Sequence, residues 1–182
     1  MPKLVLLSGC SGVGKTTIAH KLMSEMPNIE RLVTYTTRKP RPGEQNGEDY
    51  NFVTVHQFEY KIKNNELFEY DKHYGHYYGN SKKDLEAIWS NDNIALILLD
   101  INGTKTVKKI YPEAASIFLK ADTLDNLKNR IRQRPMSDND FDKRWSVVRK
   151  ELAKEDTFDF SVINAENEID QAVSDVIDII EN

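Results

Sequence analysis

Residues Gly9-Cys10-Ser11-Gly12-Val13-Gly14-Lys15-Thr16 match the pattern G-x-x-x-x-G-K-[ST]. This pattern constrains the fold more than any other stretch of the chain, because it is meaningful only between a strand and a helix. Both flanks satisfy that condition. Leu4-Val5-Leu6-Leu7 is a continuous apolar run stopped by Ser8-Gly9, as expected of a strand buried on both faces of a parallel sheet and therefore central. Beyond Lys15, residues Ile18, Ala19, Leu22 and Met23 recur at helical spacing until Pro27-Asn28 closes the segment. The glycines let the backbone curl around phosphate oxygens and present N–H groups that a Cβ would obstruct, and the helix adds the positive end of its dipole. In such a loop Lys15 contacts the β- and γ-phosphates and Thr16 offers its hydroxyl to Mg²⁺. The expected nucleoside triphosphate site is Gly9 to Thr16 together with Thr17. The motif leaves the phosphate acceptor open, since GTPases, ATPases and many kinases share it.

Two further apolar runs, 94–99 and 115–119, flank a helical stretch at 104–110 and suggest a βαβ crossover. Thr123 caps a helix start, and Ile169, Ala172, Val173, Val176, Ile177 and Ile180 form an amphipathic final helix. The scaffold reads as α/β, a parallel sheet flanked by helices in the manner of P-loop NTPases. Between about 34 and 80, Pro40, Pro42, Gly43 and Gly47 break any long element, and a small inserted lobe of short strands and loops is expected. From about 130 to 155 the chain is strongly charged, with Pro135 interrupting a helical pattern; a solvated helical pair and a mobile lid both fit.

A length of 182 residues suits one domain. The net charge of −4 argues against a global attraction to nucleic acid or anionic membrane and suits a small phosphorylated ligand. Cys10 is the single cysteine, so no intramolecular disulfide forms and a reducing cytoplasm is the expected home. The apolar run at the start of the chain is too short to span a membrane.

The stretch Thr36-Thr37-Arg38-Lys39-Pro40-Arg41-Pro42-Gly43-Glu44, followed by Gly47-Glu48-Asp49-Tyr50-Asn51-Phe52, resembles the TTR-x-PR-x-GE and G-x-DY-x-F signatures of the guanylate kinase family. With the phosphate loop, Glu69, Tyr77-Tyr78-Gly79, Asp100 and the Arg130/Arg134 pair, the resemblance covers nearly the whole chain. It implies ATP-dependent, Mg²⁺-assisted phosphorylation of GMP and dGMP, with a core at about 1–33, 81–128 and 156–182, an acceptor lobe at 34–80 and a lid at 129–155. Arg38, Arg41, Tyr50 and Tyr78 would hold the GMP phosphate, and Arg38 would also reach the transferring group. Guanidinium forks suit a dianionic phosphate because they bind oxygens bidentately and stay charged. Glu69 is the resemblance-based candidate for the guanine edge, where an acceptor-only carboxylate takes both N1–H and the exocyclic amine; Asp100 would assist at the amine.

Several positions depart from the usual family pattern. Thr34 and Asn80 stand where serine, and serine or threonine, normally help read the guanine O6. The Asn80 amide can donate to O6, but it can equally accept from an adenine amine. Leu98 replaces an acidic residue and Asn102 a glutamine, which reads either as drift or as altered Mg²⁺ or base geometry. By resemblance, Arg130, Arg134 and Arg144 close over ATP and the transferring phosphate, and with Lys15 and Arg38 they make the expected catalytic set. The stretch between Arg134 and Arg144 is one residue short, and Pro135 stands where glycine is common. The expected ligands are ATP and GMP or dGMP, without nucleic acid or membrane, in a monomer or homodimer. Two rival readings share the fold: a kinase with another acceptor, and a non-catalytic protein-interaction module, which typically loses the loop lysine and lid arginines that this chain keeps.

Overall fold

The structure, a computed structural model, describes residues 3–73, 75–133 and 137–182. Its spine is β1 (Leu4–Gly9), six residues with no appreciable exposure. This strand pairs in parallel with β7 (Ile94–Leu98) on one side and β8 (Ala115–Lys120) on the other. Outside these, β2 (Ile29–Arg31) pairs with β7 and β9 (Phe160–Ile163) with β8, giving the parallel order β2-β7-β1-β8-β9. The expected crossover between the runs at 94–99 and 115–119 is present, but β1 lies between its two strands.

Side chains of β1 alternate between two apolar layers, as the strand period requires. Val5 and Leu7 face a cluster containing Ile18 and Leu22 of α1 (Lys15–Glu25), and Val173 and Val176 of α7 (Ile169–Glu181). Leu4 and Leu6 face Leu85 and Ile88 of α3 (Lys82–Ser90), and Val107 of α4 (Ile101–Ile110). Helix α4 starts three residues before the spacing predicts, because Asp100 caps it by accepting a hydrogen bond from the Gly103 N–H at 2.7 Å. Helix α5 (Leu124–Arg132) begins at Thr123 as expected, the threonine hydroxyl accepting from Asn126 N–H.

The inserted lobe carries a second sheet of β3 (Tyr35–Thr36), β4 (Asn51–Phe52), β5 (Leu67–His73) and β6 (His76–Ser81), in the order β4-β3-β6-β5. It also contains a helix that the expectation of short strands and loops left out, α2 (Val55–Lys63). A capping box starts this helix: Thr54 accepts from the Gln57 N–H while the Gln57 side chain accepts from the Thr54 N–H. Phe58 then fastens it to the sheet, fully buried and stacked on Tyr77 at 5.2 Å.

Of the two readings for 130–155, a purely solvated pair does not hold. Helix α6 (Asp138–Leu152) buries Phe141 and Val148 in the same cluster that contains Cys10 and Val13 of the phosphate loop. Pro135 lies outside the described residues. Among the described residues no helix is long and apolar enough to cross a membrane.

Thr54→Ala removes the hydroxyl that accepts from the Gln57 N–H and leaves the Gln57 side chain bonded to the backbone N–H of residue 54. Denaturant unfolding should show a loss of about 1 kcal/mol, with an unchanged midpoint contradicting the capping role.

Candidate active site

The phosphate loop crosses the carboxyl edge of the parallel sheet, where open α/β sheets place their ligands. Gly14 caps α1 in the left-handed region at φ 99°, and a Cβ there would lie 2.5 Å from Asn164 Nδ2. A Cβ on Gly9 would collide with the Leu119 carbonyl oxygen. The glycines are therefore demanded by neighbouring chain as well as by the approach of phosphate. Asn164 is buried and donates to the Val13 carbonyl at 2.8 Å, while its own carbonyl accepts from Arg130 Nη1 at 3.0 Å. Lys15 folds over the loop, donating to the carbonyls of Gly9 at 2.6 Å and Cys10 at 3.0 Å. Its ammonium thus lies against the loop backbone at the cavity wall. The Cys10 side chain faces inward instead, donating weakly to the Val148 carbonyl at 3.8 Å, and burial pushes its thiol up to about 12. What Cys10 offers a phosphate is its backbone.

A cavity of about 260 Å³ opens from this loop. Ser11, Lys15 and Thr16 line one end, Arg41, Tyr50, Glu69, Tyr78 and Asn80 the lobe side, and Leu98 and Asp100 the sheet edge. Arg144, Val147 and Glu151 face it from α6. Thr17 is exposed on the first turn of α1 and Gly12 and Val13 complete the loop behind the wall. Arg134 lies outside the described residues, and Arg130 donates to the backbone carbonyl of Asn164, the residue that braces the loop.

At the lobe end Arg38 is clasped by Glu44 in a bidentate pair, both bonds 2.9 Å, and its guanidinium stacks over Tyr50 at 5.1 Å and Phe52 at 5.6 Å. Burial works against the Arg38 charge, but Glu44 more than offsets it and the pKa is raised. Glu44 also accepts from the Arg41 N–H at 2.7 Å, which fixes the turn between the two arginines. The Arg41 side chain is exposed and lines the cavity, whereas Arg38 stands back from it. Tyr50 and Tyr78 meet edge to face at 6.0 Å between ring centres.

On the lobe side the cavity ends in a buried polar chain. The Thr34 hydroxyl donates to Asn80 Oδ1 at 3.0 Å, and Asn80 Nδ2 donates to Glu69 Oε2 at 2.9 Å. Asn80 is fully buried and Glu69 is 6% exposed. The amide thus turns its NH₂ toward Glu69 and its carbonyl toward Thr34, the orientation that suits an accepting carboxylate. Loss of solvent is the main reason that the Glu69 carboxyl is pushed up to about 7; the Asn80 hydrogen bond opposes this, and the charges of Asp100 and Asp71 reinforce it.

Sequence reasoning missed four residues here. Asn164 braces the loop, Val147 and Glu151 face the cavity, and Asp71 shares the Glu69 face of β5. None belongs to a short motif, and only the alternation along β5 offered a signal, for Asp71.

The family model described as guanylate kinase matches residues 1–182. A guanylate kinase of Fusobacterium nucleatum subsp. nucleatum is 41% identical over 98% of this chain and 96% of its own length. One of Lactobacillus johnsonii is 38% identical over 98% of this chain and 87% of its own length. The crystal structure of guanylate kinase from Anaplasma phagocytophilum superposes with a TM-score of 0.80 at 24% identity, covering 99% of this chain and 85% of that one, which shows the fold. The chain belongs to the guanylate kinase family.

The folded state keeps the Glu69 proton to higher pH than the unfolded chain does. Between the ordinary carboxyl range and about 7 the folded state therefore binds more protons, and Glu69 costs stability increasingly as pH rises through that window. Glu69→Gln should match the parent at pH 4 and exceed it at pH 8 by on the order of 1–3 kcal/mol, read from urea midpoints. A pH-independent difference would contradict a raised pKa. Asn164→Ala should leave the Val13 carbonyl unpaired and weaken ATP binding about tenfold, measured by calorimetry.

Proposed function

We propose that this chain transfers the γ-phosphoryl group of ATP to GMP and to dGMP. The observation that carries this reading is one continuous cavity with Lys15 and Thr16 at one end and the Thr34–Asn80–Glu69 chain at the other. Phosphoryl transfer asks the protein chiefly to hold donor and acceptor in line and to place positive charge around the moving group. The loop N–H groups and Lys15 would bind the β- and γ-phosphates of ATP. Arg41, Tyr50 and Tyr78, backed by the Arg38–Glu44 pair, would hold the acceptor phosphate, and Arg144 would approach the transferring group from α6. Arg38 would have to exchange Glu44 for a phosphate oxygen to take a direct part. Arg130 would act through Asn164 and the loop, and we extend to Arg134 the catalytic role its spacing suggests.

At the base end an ionised Glu69 would accept from guanine N1–H and the exocyclic amine, with Asp100 beside it. Asn80 spends one amide hydrogen on Glu69 and keeps a second for O6, while its carbonyl already takes the Thr34 hydroxyl. An adenine amine would meet donors there, so the orientation of Asn80 favours guanine. The retained Lys15, Thr16 and Arg144, all facing the cavity, weigh against a non-catalytic interaction module.

The residues present fit a Mg²⁺ ion that arrives with the triphosphate, since Thr16 offers a hydroxyl oxygen on the cavity wall and Mg²⁺ prefers oxygen ligands, keeping several waters. When bound, it would neutralise charge on the β- and γ-phosphate oxygens. The cytoplasm is the proposed setting, where the sole cysteine remains a thiol.

ADP release with GMP, AMP, UMP and CMP offered separately should be confined to GMP among these four; activity with AMP at a similar kcat/KM would overturn the guanine assignment. Arg41→Ala should raise the KM for GMP about tenfold or more and leave ATP binding nearly intact. GMP affinity should increase as pH rises through 7, as Glu69 ionises, and an affinity flat from pH 6 to 8 would contradict the role of its carboxylate.

A further inference from the structure

Asp71 has no part in the reading above, yet it lines the same cavity. It lies two residues from Glu69 on β5, so both side chains leave the same face of the sheet, about 6.6 Å apart along the strand. Glu69 is paired across the ladder with Asn80, and Asp71 with Tyr78. The first rung is the base end of the cavity. The Tyr78 ring extends from the second rung toward Tyr50, on the β4 side of the lobe sheet, so the phosphate end lies at the tips of these rings. The Asp71 carboxylate is short and stays at the root of that rung, on the opposite edge. It therefore stands one strand step from the base, beside the part of a nucleotide that joins base to phosphate. Its side chain is exposed, and one of its oxygens accepts from the Lys72 N–H at 2.6 Å, which leaves the other oxygen to face the cavity.

We propose that Asp71 reads the sugar, accepting a hydrogen bond from the ribose 2′-hydroxyl of the acceptor and so favouring GMP over dGMP. This rests on the guanylate reading of the site. An acceptor-only carboxylate beside a dianionic ligand is useful only if a donor meets it. A deoxyribose would cover Asp71 without supplying one, leaving a charge that has lost water and gained nothing. Sites built to bond a hydroxyl reject the analogue that lacks it for this reason. The carboxylate thus selects by repelling the wrong sugar as well as by binding the right one.

The test is kcat/KM for GMP and dGMP in the parent protein, D71A and D71N, with thermal midpoints compared to establish that the variants fold. The parent should prefer GMP by about tenfold or more. D71A should bring the two substrates within about threefold of each other, and D71N, which keeps a neutral acceptor, should fall between. A GMP to dGMP ratio unchanged in D71A overturns the sugar assignment and leaves the kinase reading standing. A parent protein inactive on both substrates overturns the two together.

Discussion

The Leu119 carbonyl and the Asn164 side chain occupy the space that side chains on Gly9 and Gly14 would need, so the phosphate loop is held by surrounding chain at both of its ends. The hold is strong because each contact comes from the sheet edge: Leu119 belongs to β8 and Asn164 follows β9 directly. Central placement of β1, buried on both faces, brings those two strands to one side of the loop and β7 to the other. The anion site is therefore preorganised by packing. In the proposed function its N–H groups would meet a phosphate without rearranging, which is the condition under which fixed dipoles act most effectively.

The opposite end of the cavity works by a different balance. Glu69 gives up water and stands near two other carboxylates, with Asn80 as its amide donor. An unfilled site of this kind holds its carboxyl near neutrality and costs stability above that pH. In the proposed function a ligand edge carrying two adjacent N–H donors would relieve that cost, so discrimination would be stored in the folded protein before the ligand binds. Thr34 and Asn80 transmit the arrangement inward: the hydroxyl fixes the amide, and the amide fixes the carboxylate. The same accounting applies to Arg38, whose charge is already satisfied by Glu44, whereas in the proposed function the exposed Arg41 would meet a monophosphate without first breaking that pair.

Much of the scaffold was legible in the residues. The loop pattern, the unbroken apolar run of β1, the Thr123 cap and the period of α7 each express a local rule, and each element formed where its rule places it. Helix α2 was obscured because glycines and prolines dominate the preceding stretch and only Phe58 of its nine residues is buried; its capping box was the readable signal. Lys15, Thr16, Arg41 and Tyr78 were singled out by residue chemistry matched to spacing, and the structure brings all four to one cavity. The site was illegible where tertiary packing decides. An isolated glutamate reads as a surface charge, and nothing local says that Glu69 is buried or that Arg38 is paired with Glu44. Asn164 and Glu151 reach the site only because β9 and α6 pack beside β8 and the loop.

Guanine recognition by a buried, reluctantly ionised carboxylate is the central claim, and carboxyl ¹³C NMR of glutamate-labelled protein tests it most directly. Titrated free and with saturating GMP, the Glu69 resonance should move with an apparent pKa of about 7 in the free protein and remain that of a carboxylate throughout the neutral range in the complex. An ordinary glutamate titration in the free protein, or a Glu69 that stays protonated with GMP bound, would contradict it.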